Sequence, residues 1–124
     1  MVQLCLGGEQ GVVQLVDMMK SIARTQGMDF VDGSERSQSE LKGLHVAPKY
    51  QLIFFGVEQG DGMGLIVDNY GLSAYEVVIG FTDGADPLAA HRFANLVVGK
   101  LKQRWPVYVV PAGRGALPLK SCSK

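Results

Sequence analysis

A formally neutral chain of 124 residues, 47% of them hydrophobic, is long enough to bury a core as one domain, and its composition argues against a disordered tail or a nucleic-acid arm. No apolar run approaches the roughly 18 residues of a membrane span, and Met1 to Leu6 lacks the basic flank and apolar length of a signal peptide. A chain that starts after a removed leader would read the same, so export stays open.

Val2 to Leu6 is a strand candidate, and Gly7-Gly8 leads into a helix predicted from Glu9 to Gln26. Val12, Leu15, Val16, Met19, Ile22 and Ala23 form its apolar stripe, and Gly27 suits its C-terminal cap. Val13 and Met18 lie off the stripe and either widen the core face or leave a small exposed patch. Met28 to Asp32 reads as a short edge strand before an Asp32-Gly33 turn. Ser37-Gln38-Ser39-Glu40 has the form of a capping box and predicts a helix of one or two turns around Ser39 to Lys42, closed by Gly43. Pro48 keeps Leu44 to Lys49 a connector. Tyr50 to Val57 reads as a central strand, because both of its faces are apolar.

Gln59-Gly60-Asp61-Gly62 predicts a hairpin turn into a strand from Gly64 to Asp68, and Asp68 to Ser73 connects to a further strand, Tyr75 to Phe81. Asp86 can accept from the first free N–H groups of a following helix, whose first position suits Pro87. Ala90, Phe93, Ala94, Val97, Val98, Leu101 and Trp105 share one face of that helix, with His91, Arg92 and Lys102 opposite. Pro106 ends it, and Val107 to Val110 is a last short strand. Three strands joined by short loops imply an antiparallel meander. The expected fold is a single α+β domain over residues 1–124, with two main helices packed on a mostly antiparallel four- to five-stranded sheet close to the split β-α-β arrangement.

No catalytic or metal-binding pattern is complete. Gly60-Asp61-Gly62-Met63-Gly64 is glycine-rich but precedes a strand, where a phosphate loop needs a helix. Ser39-Glu40-Leu41-Lys42 has the Ser-x-x-Lys spacing of penicillin-recognising enzymes without the rest of that set, and Gly71-Leu72-Ser73-Ala74-Tyr75 departs from a nucleophile elbow at its fifth residue and its context. The chain has two histidines, His45 in a connector and His91 on a polar helix face. Neither has metal-ligand spacing to another histidine or a cysteine, and Asp83 with Asp86 is accounted for by a helix N-terminus. No cofactor and no metal is expected.

Charge is unevenly spread. All twelve acids lie between Glu9 and Asp86 with five bases among them, whereas the remainder of the chain carries seven bases and no acid. The two segments either face each other within the fold or meet a partner. In Pro111 to Leu119, Gly113 and Gly115 hold Arg114 between them, so that the stretch either displays the arginine toward a carboxylate or packs Leu117 and Leu119 on the sheet. Cys5 and Cys122 fit two separate thiols or one end-to-end disulfide. A tail returning across Val2 to Leu6 would permit the bridge, which requires Cα atoms no more than about 7 Å apart. A bridge would point to an oxidising compartment.

The combination of Asp86-Pro87, Phe93, Trp105 and the Pro111 to Leu119 tail ending near Cys122 resembles small uncharacterised bacterial envelope proteins, some of them lipoproteins and some immunity partners of secreted toxins. It spans roughly the last two-fifths of the chain, and no lipobox precedes Cys5. The resemblance implies a non-enzymatic periplasmic domain that binds another protein. The residues expected to contact that partner are Arg114, Arg92, Lys102, Asp61 and Tyr70. Nucleic acid and a membrane span are not expected, a homo-oligomer stays open, and cytoplasmic residence is the alternative location. The runner-up reading is a small-molecule-binding regulatory domain of the split β-α-β kind, and the third is a hydrolase with an unrecognised site.

Overall fold

The apolar runs pair into one sheet of six strands. A computed structural model describes residues 1–44, 50–111, 113, 115–119 and 122, with the backbone alone of 37, 38, 41 and 42. The elements follow as β1 (Val2–Cys5), α1 (Glu9–Gln26), β2 (Asp29–Asp32), α2 (Ser34–Gly43), β3 (Phe54–Glu58), β4 (Gly64–Asp68), β5 (Glu76–Thr82), α3 (Pro87–Lys102) and β6 (Tyr108–Val109). The strand order is β2-β3-β4-β5-β1-β6, and every neighbouring pair is antiparallel. Because β5 and β6 both run against β1, they are parallel to each other with β1 between them, which makes β5-α3-β6 a split β-α-β unit. The domain is α+β as expected, with β2 and β6 as edges of a sheet one strand wider than the upper expectation.

Both long helices follow their sequence signals. On α1, Leu15, Met19, Ile22 and Ala23 are buried, and Gly27 closes the helix in the left-handed conformation at φ 68°. Met18 packs at the core margin and Val13 is exposed. At the start of α3 the Asp86 carboxylate accepts from Leu88 N at 3.0 Å and Ala89 N at 3.4 Å, with Pro87 first in the helix. Ala90, Phe93, Val97, Leu101 and Trp105 join the α1 stripe in one cluster with Leu4, Phe55, Val57, Leu65, Val67, Val77 and Ile79. Strand side chains alternate, so these residues define one inner face, and both helices cover it.

Three boundaries differ for reasons the contacts show; besides them α3 ends at Lys102, before Trp105 and Pro106, and the ends of β1, β2, β3 and β5 move by one residue. The strand expected from Tyr50 begins at Phe54, because the wholly buried Asn69 takes the ladder's place. Its side-chain oxygen accepts from Ile53 N at 2.8 Å, and its amide donates to the carbonyls of Gln51 and Ala74, each at 3.1 Å. That strand lies one in from the edge rather than centrally, and Phe54 on it is exposed. The short helix expected at Ser39 begins at Ser34, so Ser37 to Glu40 lies inside it. The Asp32 carboxylate accepts from Ser34 N at 3.0 Å, while the Ser34 hydroxyl accepts from Phe54 N at 2.7 Å and donates to its carbonyl at 3.1 Å, which sets the earlier start. The last strand is trimmed to Tyr108–Val109 between Pro106 and Pro111.

Truncating Phe93 or Trp105 to alanine should cost about 3 to 5 kcal/mol each in a urea titration, since both fill the space between α3 and the inner face. A loss below about 1 kcal/mol for both would contradict that placement.

Candidate functional site

The outer face of the sheet divides into a half that the tail covers and a half that the described residues leave open. On β5 and β1 the outward residues include Glu76 and Cys5, which are register partners, with Gln3 beside them. After Val110 the chain turns back through Gly113 at φ 79° and Gly115 at φ 74°, values that glycine adopts without strain. It then crosses this half. Gln3 Nε2 donates to the Leu117 carbonyl at 2.8 Å and to Glu76 Oε2 at 2.6 Å, and Leu119 N donates to the same carboxylate oxygen at 2.8 Å. The second oxygen accepts from the Ser73 hydroxyl at 2.9 Å and from Ser73 N at 3.3 Å. Glu76 is 0% exposed, and these donors stand in for water around its carboxylate. Ala116 packs on Leu72, Val78 and Val110.

The tail therefore crosses the sheet, held by these polar contacts and by Ala116; of the two leucines expected to pack there, Leu117 is exposed and Leu119 half-buried. Beyond Leu119 it reaches Cys122, which lies at disulfide distance from Cys5 with Cα atoms 5.4 Å apart. The ligand atoms of Cys5, Glu76 and Cys122 fall within 4.8 Å of one another, a donor set that two free thiolates would make attractive to a soft divalent cation. Joined to each other, the sulfurs are no longer thiolate donors.

The open half belongs to β2, β3 and β4. Register places Val31, Gly56, Ile66 and Gly80 in one row across four strands, all pointing outward. Asp29, Glu58, Gly64 and Thr82 form the row on one side, and Phe54 pairs with Asp68 on the other. Val31 is 47% exposed, Ile66 43% and Phe54 39%. A groove of about 300 Å³ runs along β3, with Gly56 as floor, Val31 and Ile66 as walls, and Phe54, Glu58 and Thr82 around its ends. Half-buried Asp68 is held above the usual aspartate range by desolvation, partly offset by the hydrogen bond from Tyr70 N. No strand carries a lysine or arginine.

The expected contact residues do not converge. Asp61 sits in the β3–β4 turn, where its carboxylate accepts from Met63 N at 3.1 Å and Ala85 N at 3.0 Å, bonds that hold its pKa below the ordinary aspartate value. It thereby ties the hairpin to the loop before α3. Tyr70 is exposed at the other end of β4. Arg92 and Lys102 are exposed on α3, in the helix layer. Arg114 and His45 lie outside the described residues. Among the described residues Arg36 with Glu40 is the ion pair formed, and none joins Arg92, Lys100, Lys102 or Arg104 to an acid.

His91 is exposed and meets the Asn95 amide at 3.2 Å. The glycine-rich stretch is a turn closed by Gly62 N to the Gln59 carbonyl at 2.9 Å, with Gly62 at φ 96°. Tyr50, whose phenol burial pushes above its ordinary pKa, reaches the carbonyls of Leu72 and Asn69 and closes the far end of the β4–β5 connection. Sequence reasoning missed Gln3, Asn69 and Glu76, the three buried polar side chains among the described residues. The available signal was Glu76 at the head of a β-branched run, where an acid has no place on a packed face without partners.

No family model matches the chain, and no curated protein or solved structure matches it.

Replacing Glu76 with leucine leaves Leu119 N and both Ser73 donors without their acceptor. The expected cost is about 2 to 4 kcal/mol in urea, together with faster hydrogen exchange at Leu119. Unchanged exchange at Leu119 would show that the tail is held without this carboxylate.

Proposed function

We propose that the protein is a non-enzymatic protein-binding domain of an oxidising, extracytoplasmic compartment, and that its partner seats on the open half of the outer sheet face. One observation carries the reading: Val31, Phe54 and Ile66 point away from the core and are exposed, on a half of the sheet face that no other layer among the described residues covers. Sheets of this kind bury an apolar face against a further layer, and a partner supplies it here. The approach of Cys5 to Cys122 supports the compartment, because bridges persist where thiols are not kept reduced. No helix among the described residues is long and apolar enough to cross a membrane. An inhibitor of a secreted toxin, the role that the C-terminal resemblance implies, is one domain of this kind.

A photo-crosslinking residue placed at Ile66 should give a covalent adduct with another protein in the source cells, while the same residue at Arg92 on the helix layer should not. Equal labelling from both positions, or none from Ile66, would remove the reading. The compartment is tested separately by alkylating the denatured protein without reductant and weighing it. Unchanged mass is expected, and two added alkyl groups would refute the bridge and the compartment assigned from it.

A further inference from the structure

The open face has a charge as well as a shape, and the two together specify its occupant. Asp29 and Glu58 are register partners on β2 and β3, both exposed and both directed outward, so two carboxylates stand directly opposite each other. Like charges in that position repel, and neither has a cationic partner among the described residues. Asp68 adds a third carboxyl on the same face. The described bases outside α2, namely Lys20, Arg24, Arg92, Lys100, Lys102 and Arg104, lie on or just after α1 and α3, which cover the opposite face. Among the described residues outside α2, this leaves Asp29, Glu58 and Asp68 as the charged side chains of the open half, an acidic rim beside an apolar groove.

The groove is proportioned for a long side chain. Its walls on β2 and β4 stand two strand spacings apart, about 10 Å, with glycine at the floor between them. Glu58 lies two residues along β3 from Gly56, about 7 Å away, which matches the reach of a lysine or arginine stem. Such a side chain can lay its methylene groups on Gly56 between Val31 and Ile66 and carry its charge to Glu58 and Asp29.

We propose that the occupant is a cationic amphipathic segment of a partner protein, inserting one lysine or arginine along Gly56 with its charge at Glu58 and Asp29. This rests on the protein-binding reading above and adds the partner's chemistry. A second copy presenting the same face would set acid against acid, and the phosphates of a nucleic acid or an anionic membrane would meet the same repulsion.

Two synthetic amphipathic helices of equal length, one of leucine and lysine and one of leucine and glutamate, serve as probes. The Leu/Lys peptide should bind, with amide shifts centred on Val31, Gly56, Glu58 and Ile66, and the Leu/Glu peptide should not. Glu58→Lys should weaken binding about tenfold or more, Ile66→Lys should abolish it, and raising salt from about 0.05 to 0.5 M should weaken it. Both substituted side chains are exposed, so an unchanged urea transition checks that the variants fold. Equal binding of both peptides, indifference to both substitutions, or shifts centred on α1 and α3 would overturn the proposal. If the Ile66 crosslink still forms after such a result, the face binds a partner of other chemistry and only the cationic assignment fails. A dimer in sedimentation that Ile66→Lys dissolves would overturn it in favour of self-association. Loss of both crosslink and peptide binding would remove the two readings together.

Discussion

A six-stranded sheet has two faces to shield from water, and this chain places both of its long helices on one of them. Everything outside that layer follows from how the other face is managed. The tail shields the half formed by β5 and β1, while the half formed by β2, β3 and β4 keeps its apolar side chains in contact with solvent. The helix-covered side needs no special device, because Phe93, Val97 and Leu101 of α3 and Leu15, Met19 and Ile22 of α1 meet the inward strand residues in one cluster.

The shielded half depends on a buried carboxylate. Glu76 collects donors from β1, from the β4–β5 turn and from the tail, three segments far apart in sequence, and the cysteine pair lies beside it. A buried polar group is costly when any of its partners is lost, so these segments are coupled: displacing the tail would also leave the Glu76 carboxyl with Gln3 and Ser73 as its remaining partners. Such a knot specifies where the tail goes more strictly than apolar packing could, since Leu117 contributes little burial of its own.

Local chemistry was legible wherever one element carried its own signal. The 3.6-residue periodicity of α1 and α3, the Asp86-Pro87 start and the Gln59 to Gly62 turn all stand in the structure as read. What could not be read was decided between segments. Asn69 takes the backbone partners of residues 51 and 53 and so shortens β3, although nothing near Tyr50 announces it. Ser34 starts α2 early through a strand twenty residues away, which overrides the capping box at Ser37. The apolar side chains on both faces of β3 were visible, but whether the second face is buried depends on how much chain remains to cover it. The same limit applied to the contact residues, for the charged loops stood out in the sequence while the groove exists only once Val31, Gly56 and Ile66 are brought into register.

The two edges of the sheet bear on how copies of this protein behave when crowded. At one edge β6 is two residues long and bracketed by Pro106 and Pro111, which offers a further strand little ladder to extend. At the other, β2 begins and ends in aspartate. Aspartates at both ends of this strand put like charges close to any second copy that pairs along it, so the apolar face can stay uncovered without the sheet growing from molecule to molecule.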